Sequence, residues 1–184
     1  QPANIFISHA WKYKFEDVVE CLIASVDYKR AYLWFDIFTV NQHFHDNDRP
    51  FEWWKTEFHS AVAKIGKTMV VLSPWESPIP LKRCWVLWEI LCTVMSASKL
   101  QLIMSEKEKK RFLKTLYLNY PKIESQLCQI TTKEAKAGNP VDQEKIMKAA
   151  AEMGFAKIDS TCKIGIRKAL YEMGREELDK VKNE

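Results

Sequence analysis

The chain has 184 residues, 47% hydrophobic and 28% charged, the profile of a soluble globular protein with one sizeable core and at most a small appendage. No apolar run is long enough to cross a bilayer. The net charge of +4 is uneven: residues 1–100 carry 11 Lys/Arg against 11 Asp/Glu, and residues 101–184 carry 17 against 13.

The basic half interleaves its lysines with glutamates, which reads as a solvated helical face, so no nucleic-acid partner is expected. All seven tryptophans lie between Trp11 and Trp88, so the chain changes character near residue 100. The five cysteines are odd in number, scattered and without a CxxC pair. This suggests neither a zinc site nor a secreted disulfide framework, and a reducing, cytoplasmic location is expected. The start, QPANIFISHAW, has neither a Met nor a signal-peptide pattern, so the sequence is expected to be part of a longer multidomain protein.

In chain order, NIFIS (Asn4–Ser8) reads as a strand. Phe15, Val18, Val19, Leu22, Ile23 and Val26 then repeat at helical spacing. YLWFD (Tyr32–Asp36) reads as a second strand, followed by a polar loop. Pro50 suits a first helical turn. Phe51, Trp54, Phe58, Val62 and Ile65 form one helical stripe that Gly66 is placed to end. TMVVL (Thr68–Leu72) is an apolar run of the buried-strand kind. SPWESPIPLK holds three prolines and reads as an irregular loop. CWVLWEILC (Cys84–Cys92) is a helix apolar on nearly every side except at Glu89, and LQLIM (Leu100–Met104) is a fourth strand. Ser105 and Glu108 form a capping-box signature. Past Pro121 only helices are expected, over Asp142–Glu152, with Gly154 as its stop, and over Ile158–Glu172.

Strict strand–helix alternation predicts an α/β fold: a flavodoxin-like three-layer sandwich with a central parallel sheet of four to five strands, plus C-terminal helices. The expected division is 1–120 for the sheet domain and 121–184 for a helical extension packed on it or following it.

Ligands of doubly wound sheets bind beyond the carboxyl ends of the strands, where strand order reverses. With the first strand between the second and third, that crevice receives Ser8 and His9, the loop after Asp36 with Phe38, and the start of the helix bearing Glu89. Trp85 lies at i−4 from Glu89 on the same helix face. A buried carboxylate without a partner is costly, which makes Glu89 the residue to explain.

FISHAW after the first strand, WFDI at the second, and Trp85-Val-Leu-Trp-Glu89 opening the helix after the third together resemble a Toll/interleukin-1 receptor (TIR) domain, over roughly residues 4–120. The WxxxE phrase is that of enzymatic TIR domains. WFDIFTVNQ is also similar to the WxDxxxxNQ phrase of fungal heterokaryon-incompatibility domains. Plant-type enzymatic TIR domains often carry Ser and Cys six and three residues before the glutamate, where this chain has Arg83 and Val86. The resemblance implies an NAD+ glycohydrolase in signalling or immunity, with Glu89 catalytic and active on homotypic self-association. NAD+ would be its substrate, with no cofactor.

The chemistry suits such residues. Nicotinamide leaves as a neutral ring from a cationic pyridinium, so no general acid is required. One carboxylate that holds the ribose hydroxyls and stabilises the sugar's developing positive charge suffices. At an ordinary pKa of about 4.3, Glu89 is expected to be ionised at neutral pH. The Trp85 indole gains roughly 0.5–2 kcal/mol by stacking on a pyridinium. Candidate substrate contacts are Trp85, Ser8, His9, Asp36 and Phe38.

Structural readings stand beside these. Glu89 pairs with Arg83, Lys82 or loop amides; Trp85 and Trp88 pack in the core; Ser8, His9 and Asp36 cap their loops. His59 packs within a helix or faces water. His43 and His45, close to Asp46 and Asp48, read as solvated loop residues, and no metal site is expected. The alternative to the hydrolase is a non-catalytic TIR-type assembly module using exposed aromatics such as Trp75. A related nucleoside hydrolase is the third reading.

Overall fold

A computed structural model describes residues 1–39 and 51–182, the side chains of 51–54 and 181 excepted. The alternating apolar runs form four strands: β1 (Ile5–Ser8), β2 (Leu33–Trp34), β3 (Lys67–Val71) and β4 (Lys99–Ile103). They pair in the order β2-β1-β3-β4, all parallel. The first step, through α1 (Phe15–Ile23), runs outward to β2. The next two return through α3 (Phe51–Ile65) and α4 (Cys84–Met95). Right-handed crossovers require opposite faces for opposite directions of travel.

The two faces follow from the period of two along each strand. Ile5, Ile7, Met69, Val71 and Ile103 pack with Val18, Cys21 and Leu22 of α1. Phe6, Val70, Leu72, Leu100, Leu102 and Met104 face the other way, onto Val62 of α3 and the apolar residues of α4. This is the expected flavodoxin-like α/β arrangement, with four strands among the described residues. Gly66 ends α3 at φ 76°, a left-handed value that carries no penalty for glycine.

The remaining helices are α5 (Glu106–Leu118), α6 (Tyr120–Leu127), α7 (Pro140–Met153) and α8 (Phe155–Lys182). Ser105 caps α5 by accepting from the Glu108 amide. Ile123, Leu127, Ile146, Ile158, Cys162 and Ile166 all join the core around α4. Residues beyond 120 therefore share one apolar interior with the sheet. Gly165 lets α8 come close to α4: a Cβ there would lie 2.4 Å from a methyl of Val94.

Several expectations need correction. The second strand is two residues long, and Asp36 opens a short helix, α2 (Asp36–Thr39). The amides of Phe38 and Thr39 bond back to the Phe35 carbonyl, so the chain turns before a longer strand can form. The proline-rich loop contains a 3-10 turn, Ile79–Lys82. Phe15 and Ile23 are exposed, 50% and 75%, because only the Val18–Leu22 side of α1 meets the sheet. Trp75 is fully buried against Phe112, so it offers no surface for assembly.

Candidate functional site

Alternation along β1 decides which way its last residue faces. Phe6 points toward α4, Ile7 away, and Ser8 again toward α4. There the Ser8 hydroxyl donates to Oε2 of Glu89. Ser8 is buried and Glu89 only partly so. Among the described residues no Lys or Arg forms an ion pair with Glu89, so the pairing with Arg83 or Lys82 that the structural alternative offered is not formed.

The electrostatics overturn the expectation that Glu89 is ionised. Desolvation pushes the Glu89 carboxyl from its ordinary range up to about 8; the Ser8 hydrogen bond opposes this and the Asp36 charge adds to it. Burial disfavours the charged form, and one neutral donor returns only part of the lost hydration. Glu89 is therefore largely protonated at neutral pH in the free protein rather than ionised.

Its backbone is fixed as well. The Thr93 hydroxyl, one turn on, lies 2.7 Å from the Glu89 carbonyl and 2.7 Å from the hydroxyl of Thr68 in β3. Both threonines are fully buried. Side chain and main chain of Glu89 are thus referenced to two neighbouring strands, β1 and β3.

Trp85 shares the Glu89 face of α4 and is partly buried. Its ring packs on Phe58 at 6.1 Å between centroids, and its Nε1 reaches Asp142 of α7 at 3.4 Å.

A second group of residues forms on the other side of β1. His9 follows Ser8 and turns the opposite way, its ring edge-on to Phe35 at 4.9 Å. Its Nδ1 lies 3.6 Å from Asp36 Oδ1. Burial lowers the His9 pKa, with Asp36 opposing. Asp36 also accepts from the Trp11 indole at 2.8 Å and from the Ile37 amide at 2.9 Å. Phe38 is 72% exposed and packs edge-on against Phe15 and Phe35. Of the predicted contacts, then, Ser8 meets Glu89 directly and Trp85 shares its helix face. Asp36 acts on Glu89 through charge. His9 and Phe38 belong to the cluster on the α1 side.

The thiols contribute no nucleophile. All five cysteines are buried and free, and burial pushes Cys92 and Cys162 up to about 12, away from the reactive thiolate. Among the described residues no His, Cys, Asp and Glu cluster has metal-binding geometry. His43, His45, Asp46 and Asp48 lie outside the described residues.

The sequence alone does not mark Asp142, Thr68, Thr93 or Trp11 as site residues. Thr93 carried a weak signal as the i+4 neighbour of Glu89. Asp142 carried none, being 57 positions from its partner.

No family model, curated protein or solved structure matches the chain. Its functional reading rests on the motif and on the geometry around Glu89.

Proposed function

We propose that the chain is an NAD+ glycohydrolase of the TIR type, releasing nicotinamide and leaving ADP-ribose or a cyclic form, with Glu89 as its catalytic carboxyl group. The observation that carries this reading is Glu89 itself. It is an acidic group without a basic partner among the described residues, held by Ser8 at the carboxyl end of a central strand. That is where doubly wound sheets receive ligands. A purely structural acid would be expected to have a cation or several amides to offset its burial.

The raised pKa shapes the mechanism. A protonated Glu89 gives little electrostatic help to a ribosyl cation. Arrival of a pyridinium ribosyl group places positive charge nearby and favours the carboxylate, whose proton passes to solvent. The C1′–N bond then breaks with its electron pair going to nicotinamide. The Glu89 carboxylate stabilises the sugar, and water or a substrate hydroxyl adds to C1′ and loses its proton to solvent. Such preorganised stabilisation is commonly worth about a hundredfold or more in rate.

Self-association and a cytoplasmic setting are part of the proposal; five buried free thiols support a reducing compartment. The test is chromatographic measurement of nicotinamide release by concentrated parent and Glu89→Gln protein. A parent rate above buffer that falls at least a hundredfold in the variant supports the reading, and equal rates reject it.

One observation favours the alternative, a non-catalytic assembly module. Phe15 and Ile23, with Val19 between them, line an outward apolar stripe on α1. In that reading no NAD+ turnover occurs at any protein concentration.

A further inference from the structure

The segment after residue 130 is joined to the beginning of α4 by main-chain bonds. The Lys136 amide donates to the Lys82 carbonyl at 2.9 Å, and the Cys84 amide to the Lys136 carbonyl at 3.1 Å. Arg83 and Lys136 form a parallel bridge. The next residue, Ala137, donates its amide to Gln143 Oε1 at 3.0 Å, and Asn139 caps α7 by accepting from Val141. These contacts seat the first turn of α7 beside the first turn of α4. In that position Asp142 Oδ2 accepts from the Trp85 indole at 3.4 Å.

An acid in a first helical turn is favoured by the helix dipole, which accounts for a carboxylate at position 142. It does not account for an indole N–H from another helix turned toward it. An indole face attracts cations through its quadrupole. A negative charge at the N–H edge pushes electron density into the ring and strengthens that attraction.

We propose that Asp142 is a positioning residue of the candidate site: it orients Trp85 through Nε1 and makes the ring a platform for a cationic heteroaromatic ring. This deepens, and rests on, the hydrolase reading, in which the ligand's reacting ring is a pyridinium. It also gives the C-terminal helices a role in the site, since the bond crosses from α7 to the helix that carries Glu89.

The experiment uses the whole chain and the 1-methylnicotinamide cation as probe, with neutral nicotinamide as control. The Trp85 indole N–H signal is assigned by its loss in Trp85→Phe. In Asp142→Ala that signal shifts more than the other indole signals, and cation binding weakens about threefold to tenfold. Nicotinamide binding, which depends on the ring's orientation but not on its attraction for charge, weakens less. In Asp142→Asn, which keeps an acceptor but loses the charge, the signal stays near its parent position while cation binding still weakens. In turnover, KM for NAD+ rises in both variants with kcat nearly preserved, a split that general loss of fold does not produce. The proposal is overturned if the parent does not bind the cation. It is also overturned if either variant binds the cation as the parent does, or if the Trp85 signal is unmoved in Asp142→Ala. Should the parent bind the cation and Asp142→Ala weaken it while neither releases nicotinamide, the role of Asp142 stands and the hydrolase reading falls.

Discussion

The Thr93 hydroxyl sits 2.7 Å from the main-chain carbonyl of Glu89 and 2.7 Å from the Thr68 hydroxyl, inside a fully buried contact between α4 and β3. A hydroxyl pair in an apolar interior stabilises little in net terms, but each member is costly to leave alone. Thr93→Val removes one member and strands the other, and is expected to lower stability by about 1–3 kcal/mol. Thr68→Val with Thr93→Val replaces both by apolar groups of similar shape. The double variant should be more stable than the Thr93→Val single variant in chemical denaturation. A double variant as unstable as the sum of the singles would show that the pair does not act as a unit.

Glu89 ties stability to pH in a direction opposite to that of most carboxyls. Its folded pKa, about 8, lies above the ordinary value of 4.5. Below the ordinary value the group is neutral in both states and costs nothing. Between the two values the unfolded chain ionises freely while the folded chain holds the proton, so folding weakens as pH rises and levels off above the folded pKa. Glu89→Gln removes this dependence. It is expected to melt like the parent near pH 4.5 and above it near pH 8, by an amount of order a few kcal/mol. Thermal melts of both proteins across that window provide the check, and parallel curves would refute it.

Ser8 supplies the hydrogen bond that favours the ionised form of Glu89. Ser8→Ala therefore raises the Glu89 pKa further. If Glu89 acts as proposed, nicotinamide release at NAD+ concentrations well below KM is expected to increase with pH in the parent and to level off above about 8, the value in the free protein. In Ser8→Ala the same rise moves to higher pH, and Ser8→Thr, which keeps the hydroxyl, returns it toward the parent. A pH profile unchanged by Ser8→Ala would separate Ser8 from the titrating group.

The elements legible from sequence are those whose neighbours lie close along the chain. β1, β3, β4 and the nearly all-apolar α4 announce themselves through runs of branched and aromatic residues, and their alternation dictates the sheet. The position of Ser8 opposite Glu89 follows from that topology once β1 is central. Most of the rest depends on distant parts of the chain. β2 stops at Trp34 because the amides of Phe38 and Thr39 bond back to the Phe35 carbonyl and turn the chain into α2. Trp75 reads as a loop aromatic, yet Phe112 of α5 covers it. Phe15 and Ile23 fit a helical stripe wider than the face the sheet covers. The Glu89 charge state is not legible in the sequence because it depends on how the fold desolvates the carboxyl and on the Asp36 charge that the fold brings near it.

The outward stripe of α1 gives a prediction that separates assembly from fold. Ile23 is exposed and Phe15 half exposed, so replacing both with Ser gives up the ring contacts of Phe15 with Phe35 and Phe38, costs about 1–2 kcal/mol and leaves the protein folded. If copies of the chain meet through this face, sedimentation shows the parent moving to larger species with concentration, and the Phe15→Ser, Ile23→Ser variant remaining monomeric. Identical sedimentation of the two would remove α1 from any assembly surface.

Gly165 of α8 offers the sharpest test of how the C-terminal helices hold α4. A Cβ at this position falls 2.4 Å from Cγ2 of Val94 and 3.4 Å from Cδ2 of Leu100. Alanine is favoured over glycine within a helix by about 1 kcal/mol, but overpacking a close contact costs about 1–3 kcal/mol. Val94 is β-branched and stiff about χ1, so it yields poorly. Gly165→Ala alone is therefore expected to be neutral or destabilising despite its better helix propensity. Val94→Ala removes the obstructing methyl. In that background Gly165→Ala should become stabilising by roughly the propensity difference, about 1 kcal/mol. The change of sign between the two backgrounds is the coupling that a double-mutant cycle isolates. If Gly165→Ala has the same effect in both, α8 does not bear on α4 at this point.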